Sequence, residues 1–575
     1  MNFTCKPTDG AVVQLTERVE NGIVLLDVDV TYDEPTVPAH LAVKWSVPCV
    51  DMYSLWSAGY KTMRKLCPSW SMQKTKARLA SGAPLHQIIS ADGRNRMTVA
   101  LSDAMTPTEI ATGVVEKTAE LACNVHFFTM PVNHITEYHA TVYIDMRDIP
   151  YHESLKGAER YWAEKCGYPS AYIPDSARRP MYSCWYSFHQ HIDVEAILEQ
   201  CRMAKAFGME SVIVDDGWQT ADSSCNYAHC GDWEVVPSKV PDMKAFVDAV
   251  HETGMKFLLW FAVPFMGIYA KQYGRFKDMV LGYKWQNCAV LDPRFPEVRE
   301  YLIGIYRDAV RNWGLDGVKL DFIDSFQLFP ETPAFDERWD TLSLEDGVDK
   351  LLAGITDALR AENPEIMIEF RQSYFGPTIR KYGNMIRVAD CPNDSLMNHA
   401  VGTDLRYLLS KTPVHSDMLM WHPDDSAESA AHQVICTLFT VPQISVLLDK
   451  IPEAHKRMLR FWLKFWNDNR ETLLDGNFSA ENPETLYSLV RTERKGHIIA
   501  VAHAKPVLTV ESFRRLDFVN ASTESALIVR ATADCGKRTY TVYDCTGEVT
   551  ERGECELAKG IYEFAVPQSG MIRFE

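Results

Sequence analysis

Two aspartates far apart in the chain stand where carboxyl chemistry is possible. Asp321 lies at the end of the apolar run GVKLDF (317–322), and Asp390 closes MIRVAD (385–390). Carboxyl groups on opposite sides of an acetal carbon can cleave it by double displacement: one attacks as carboxylate, the other protonates the leaving oxygen and later activates water. Retention of configuration needs a gap of about 5–5.5 Å between them. Charges so close repel, which is expected to raise the pKa of Asp390. Either aspartate taken alone also fits a helix cap or an acceptor for loop amides.

Lys319 precedes Asp321 by two positions, so strand alternation turns both to one side. A lysine facing a packed interior needs a partner; it either keeps the aspartate ionised and donates to hydroxyls, or forms a structural ion pair. Asp215, Asp216, Gly217 and Trp218 follow the run SVIV. Adjacent carboxylates accept from neighbouring sugar hydroxyls, and an indole covers C–H groups. A divalent cation competes for such carboxylates, though DxDxDG-like spacing is missing, and a plain capped turn fits as well. Asp232, Trp233, Trp185 and Trp260 are further candidate walls of a sugar pocket, against the plainer reading of tryptophan as core. Glu369 and Arg371, two apart, either read hydroxyls near C2 of a sugar or pair with each other.

Cys225, His229 and Cys230, with His189 and His191, raise a zinc reading, but paired CxxC spacing does not occur. The motifs of serine hydrolases, Walker-type NTPases and HExxH metalloproteases do not occur either. No metal and no cofactor is expected.

These residues must be held by a scaffold, and the texture from about residue 180 supplies one. Strand-like runs MYSCWYSF (181–188), SVIVDD (211–216), KFLLWF (256–261), GVKLDF, IMIEF (366–370) and MIRVAD are separated by helical or loop material. Asp193 and Asp242 are N-cap candidates; Gly208, Gly254 and Gly314 close helices. Two more strands are expected near 413–419 and 436–448. Alternating strands and helices indicate a parallel sheet, and nearly every run ends in a polar or aromatic residue. In a (β/α)8 TIM barrel those ends form the mouth. An open doubly wound sheet uses the same units, but a Gly-rich phosphate fingerprint is missing after the first strand.

The flanks are β-rich. Runs such as GIVLLDVDVTYD (22–33), CNVHFFTM (123–130) and ATVYIDM (140–146) predict an N-terminal β-sandwich over 1–165. The barrel is expected over 175–470, ending in a long amphipathic helix (455–474). YSLVRT, HIIAVAH, ALIVRA, RTYTVYD and GIYEFAV predict a small C-terminal antiparallel β-sandwich over 475–575.

With 575 residues, two to four domains are expected. A formal charge of −18 argues against nucleic-acid and anionic-membrane partners. No run of about 18 uncharged apolar residues suggests a membrane span. The start MNFTCKPTDG lacks the pattern of a signal peptide, and the 15 cysteines are scattered without framework spacing. A cytoplasmic location is the expectation.

VDDGWQ (214–219), GDWEV (231–235), GMKFLLWF (254–261), LDPRFPEVREYL (291–302), GVKLDFID (317–324) and IRVADCPND (386–394) together resemble the α-galactosidase clan of retaining glycosidases, which includes melibiases and raffinose synthases. The resemblance covers about residues 180–450. It implies a TIM barrel between β-sandwiches and exo-action on α-linked galactosides, with Asp321 as nucleophile and Asp390 as acid/base. It further implies that Asp215 and Asp216 bind O4 and O6, and that Lys319 and Trp260 line the subsite. Related alternatives keep the mechanism on an α-N-acetylgalactosaminide or α-glucoside, or transfer to a sugar acceptor; a different class is a non-catalytic sugar-binding barrel. The chain departs from the pattern at WFAVP (260–264), where relatives often carry W-x-E-P. It departs again at EFRQSYFGP (369–377), where many carry a Cys- and Gly-rich loop that reads C2. Accessory β-domains of such barrels often support a homo-oligomer, which is expected here by analogy.

Overall fold

The computed structural model describes residues 1–7, 10–57, 64–371 and 373–575. Gln372, inside the segment that departs from the resembled family, lies outside them. Eight parallel strands close into a barrel: β1 (Met181–Ser183), β2 (Ser211–Val214), β3 (Lys256–Ala262), β4 (Gly317–Asp321), β5 (Met367–Arg371), β6 (Met385–Arg387), β7 (Val414–Leu419) and β8 (Val441–Ile444). β8 pairs back onto β1.

Helices α1 (Val194–Ala206), α2 (Met243–Glu252), α3 (Pro296–Trp313) and α4 (Leu344–Glu362) follow β1 to β4. After β6 come α5 (Ser395–Arg406), α6 (Ala427–Ile435) and α7 (Glu453–Asp475), one behind each strand. Between β5 and β6 the described residues hold only the 3-10 turn Ile379–Lys381. Asp193 and Asp242 cap α1 and α2 as expected, accepting from Ala196 N and Ala245 N at 3.0 Å. Gly314 closes α3 in the left-handed region at φ 75°.

Two strand assignments need correction. Of MYSCWYSF, only Met181–Ser183 is strand, and Trp185–Phe188 forms one helical turn. MIRVAD leaves the sheet at Arg387, so Asp390 stands three residues beyond β6. Its segment is fixed instead by side bonds, Val388 N to His415 O at 3.0 Å and Cys391 N to Asp417 Oδ2 at 2.7 Å. Both runs are apolar enough for a strand, but ladder bonding to a neighbour decides where it stops.

N-terminal to the barrel, a five-stranded and a six-stranded antiparallel sheet share one core that includes Val28, Val43, Val99 and Val125. A helix, Tyr151–Lys165, follows them. The C-terminal part holds a seven-stranded and a three-stranded sheet. The antiparallel pattern expected there is interrupted by two parallel pairings, His497–Ala502 with Arg515–Asn520 and Val507–Val510 with Ala526–Ala531. Among the described residues no helix is long and apolar enough to cross a membrane.

Candidate active site

Parallel register assembles the site. Trp260 of β3 lies beside Lys319 of β4, and Lys319 beside Glu369 of β5. Arg371 in turn lies beside Arg387 of β6. Lys319 and Asp321 both face the barrel axis, as strand alternation requires. Lys319 Nζ donates to Asp215 Oδ2 of the loop after β2 at 2.6 Å, so this buried lysine is partnered across the barrel.

Asp321 is 6% exposed. Its Oδ1 accepts from Arg371 Nε at 2.6 Å and from Phe322 N at 2.7 Å, and Oδ2 accepts from Trp260 Nε1 at 3.0 Å. Burial alone would lift this carboxyl. Arg371, then Lys319 and the indole N–H, outweigh it and hold Asp321 far below the ordinary aspartate range. Asp216 is gripped by two amides, Gln190 Nε2 and Gln219 Nε2, each at 2.6 Å.

Asp390 has a half-exposed carboxylate on a cavity of about 480 Å³ lined also by Asp324, Arg371, Ser373, Val388 and Met397. Arg387, buried below it, donates to Asp390 Oδ1 at 2.8 Å and also to Asp417. The expected rise of the Asp390 pKa is corrected. Burial raises it and the charge of Asp321 adds a little, but Arg387, Arg371 and Lys319 together bring it below the ordinary value.

The charges around the barrel end account for the remaining shifts. Lys319 pairs with Asp215, Arg371 with Asp321, and Arg387 with Asp390. That leaves Asp216, Glu369 and Asp417 without a cation of their own, since Asp417 only shares Arg387. Burial pushes Asp216 up to about 6 and Glu369 up to about 7, and raises Asp417.

The structure brings Asp215, Asp216, Trp260, Lys319, Asp321, Arg371 and Asp390 to one end of the barrel. Trp185 stands partly exposed at the exit of β1, edge-on to His189 at 4.7 Å. The other sugar-contact expectations are corrected. Trp260 is 1% exposed, so it orients Asp321 and offers no open face. Trp218 is fully buried against Phe261, Trp233 and Trp313. Trp233 packs on Phe261 as well. Phe261 is the outward neighbour of inward Trp260 on β3, so Trp218 belongs to the layer between strand and helix, while buried Trp233 also packs edge-on against Trp260 at 5.9 Å. Asp232 spends its carboxylate on Lys271 N and Gln272 N, at 2.6 and 3.0 Å. Glu369 is fully buried beneath the site, bonded to Gln443 and 3.8 Å from Arg387 Nε, and does not pair with Arg371.

Tyr227, Gln190, Arg387 and Asp417 take part without having been expected. Asp417 lies in the half-polar strand run VHSDML, whose six residues are all buried, so it gave a weaker signal than Lys319 in its apolar run. Tyr227, whose ring stacks on Trp260 at 6.3 Å, lies in a loop with no periodicity to betray it. Among the described residues no three His, Cys, Asp or Glu side chains are grouped to hold a metal ion.

The profile of the melibiase family matches residues 172–476, just over half of the chain. The chain belongs to the melibiase family. It is 30% identical to the α-galactosidase Mel36A of Lactobacillus acidophilus, over 26% of this chain and 20% of that one. It is 23% identical to the α-galactosidase AgaA of Geobacillus stearothermophilus, over 60% of this chain and 49% of the relative. These alignments therefore span half or less of the melibiase-family proteins they reach. A crystal structure of AgaA with 1-deoxygalactonojirimycin superposes with a TM-score of 0.67 over 98% of this chain and 81% of AgaA. At 14% identity that likeness speaks for the fold.

Proposed function

We propose that this melibiase-family chain is a retaining, exo-acting α-glycoside hydrolase that removes terminal α-galactose. The barrel of 175–470 is its catalytic domain, with 1–165 and 475–575 as flanking β-domains. Asp321 attacks the anomeric carbon and forms a covalent glycosyl ester. Asp390 protonates the departing oxygen, then takes a proton from the water that hydrolyses the ester. Lys319, Asp215 and Asp216 bind the sugar hydroxyls, with Trp185 at the entrance.

One observation carries this reading. An aspartate held ionised by Arg371, Trp260 and a backbone N–H shares that Arg371 with a cavity whose lining also holds a second, half-exposed aspartate. A nucleophile must be ionised and aimed, whereas its partner must reach solvent and the leaving group. AgaA, seen elsewhere with raffinose and with stachyose, supports α-galactosyl oligosaccharides as the substrate class.

Asp321→Ala should abolish hydrolysis of aryl α-galactosides, with azide restoring turnover as the inverted β-galactosyl azide. Asp390→Ala should slow poor leaving groups far more than good ones. Full activity of Asp321→Ala would end the proposal. A second reading, another substituent at C2, is favoured by Arg371 in place of the Cys- and Gly-rich loop. Comparing aryl α-galactosides, α-N-acetylgalactosaminides and α-glucosides decides between the two.

A further inference from the structure

The connection from β3 to α3 leaves the barrel at the same end as Asp321 and folds into a hairpin, Val280–Lys284 and Cys288–Leu291. In its turn Trp285 is 88% exposed, and nearby Tyr269 is 68% exposed. An indole that open to water contributes little to the core, and a second exposed aromatic ring alongside it makes the apolar surface more than a lone side chain. The hairpin is also tied to the candidate site by two routes. Gln286 O, next to Trp285, accepts from Tyr227 N at 3.2 Å. The Tyr227 ring stacks on Trp260, which donates to Asp321. On the second route Lys284 Nζ lies 5.5 Å over the Phe265 ring, which stacks at 4.7 Å on Phe322, the residue after Asp321. Asn287 O accepts from Ile268 N at 3.1 Å, which brings Tyr269 alongside the turn.

We infer that Trp285, with Tyr269, forms a platform on the rim of the site for the sugar units beyond the bond to be cleaved. The occupant is the rest of an oligosaccharide ending in α-galactose. Its rings carry apolar C–H faces that stack on aromatic side chains, and its linear reach continues outward from the reacting sugar. This rests on the hydrolase reading and extends it from a terminal sugar to a longer substrate.

The test compares stachyose, a tetrasaccharide, with α-galactosyl fluoride, which has no sugar to place on the platform. In Trp285→Ala the ratio of kcat/KM for stachyose over the fluoride should fall about tenfold, mainly through KM. Trp285→Phe should recover most of the loss. An unchanged ratio overturns the platform, and so does an equal loss on both substrates, which marks a structural ring. Sedimentation velocity adds a third outcome: if Trp285→Ala dissociates an oligomer while the ratio stays put, the ring covers a second copy of the chain, and the platform is overturned. A wild-type enzyme inert toward the fluoride removes the hydrolase reading and the platform with it, whereas an active one with an unchanged ratio removes the platform alone.

Discussion

At the residue scale the active end of the barrel is a problem in charge balance. Lys319 and Arg371 each hold one aspartate and Arg387 is shared by Asp390 and Asp417, while Asp216, Glu369 and Asp417 are the carboxyl groups burial drives toward the neutral form. Arg387 helps bring the Asp390 carboxyl below its ordinary range, so in the proposed acid role it is the protonated form that is scarce at neutral pH. Glu369 gives a measurable consequence. Its folded pKa of about 7 lies above the ordinary 4.5, so the folded state keeps a proton that the unfolded state releases. Stability should therefore fall as pH rises between those values and level off above them. Glu369→Gln, neutral throughout, should gain in Tm relative to wild type across that window. A Tm difference independent of pH would show that Glu369 is ionised in the fold.

At the scale of elements the decisive places are strand ends. β2 stops at Val214, and the chain must turn sharply to aim Asp215 at Lys319 and Asp216 at Gln190 and Gln219. Gly217 makes that turn at φ 121°, in a region costly for residues with a Cβ. A Cβ there would also come within 2.6 Å of Gln190 Cα, part of the residue that grips Asp216. Gly217→Ala should lose about 1–3 kcal/mol of stability and also lower kcat/KM per folded molecule. Thermal unfolding and active-site titration together check both effects, and an unaltered Tm would show that the turn accepts a side chain.

Across the whole molecule, one buried cluster locks barrel and flanking sheets together. Arg64 donates to both oxygens of Asp404 on α5, at 2.7 and 2.6 Å. Trp56 from the N-terminal sheet donates to Asp404 at 3.0 Å and to the Tyr487 hydroxyl at 2.7 Å. Arg64 and Asp404 are both shielded from solvent, at 3% and 0% side-chain exposure. Removing one partner strands the other charge, a loss of about 3–5 kcal/mol. Arg64→Met should lower Tm markedly while leaving kcat per folded molecule intact, because the cluster does not touch the candidate site. Equal Tm values in the two proteins would mean the ion pair contributes little.

What the order of residues determined is local. Strand alternation placed Lys319 with Asp321, caps at Asp193 and Asp242 opened helices, and the rhythm of apolar runs announced a barrel between β-rich flanks. Each follows from torsion preferences and side-chain direction within a few residues. Tertiary structure decided the partners, because they meet only when the barrel closes: Asp215 and Lys319 are 104 positions apart. It also separated tryptophans that look alike in sequence, turning Trp260 to Asp321 and Trp218 to the helix layer. Trp218 and Trp233 lie in irregular loops, where no period tells one face from the other. Asp390 was legible as a residue, but the bond from Cys391 N to Asp417 that fixes its segment required β6 and β7 side by side. Its lowered pKa comes first from Arg387, three residues away in the chain, and then from Arg371 and Lys319, which only the closed barrel brings near.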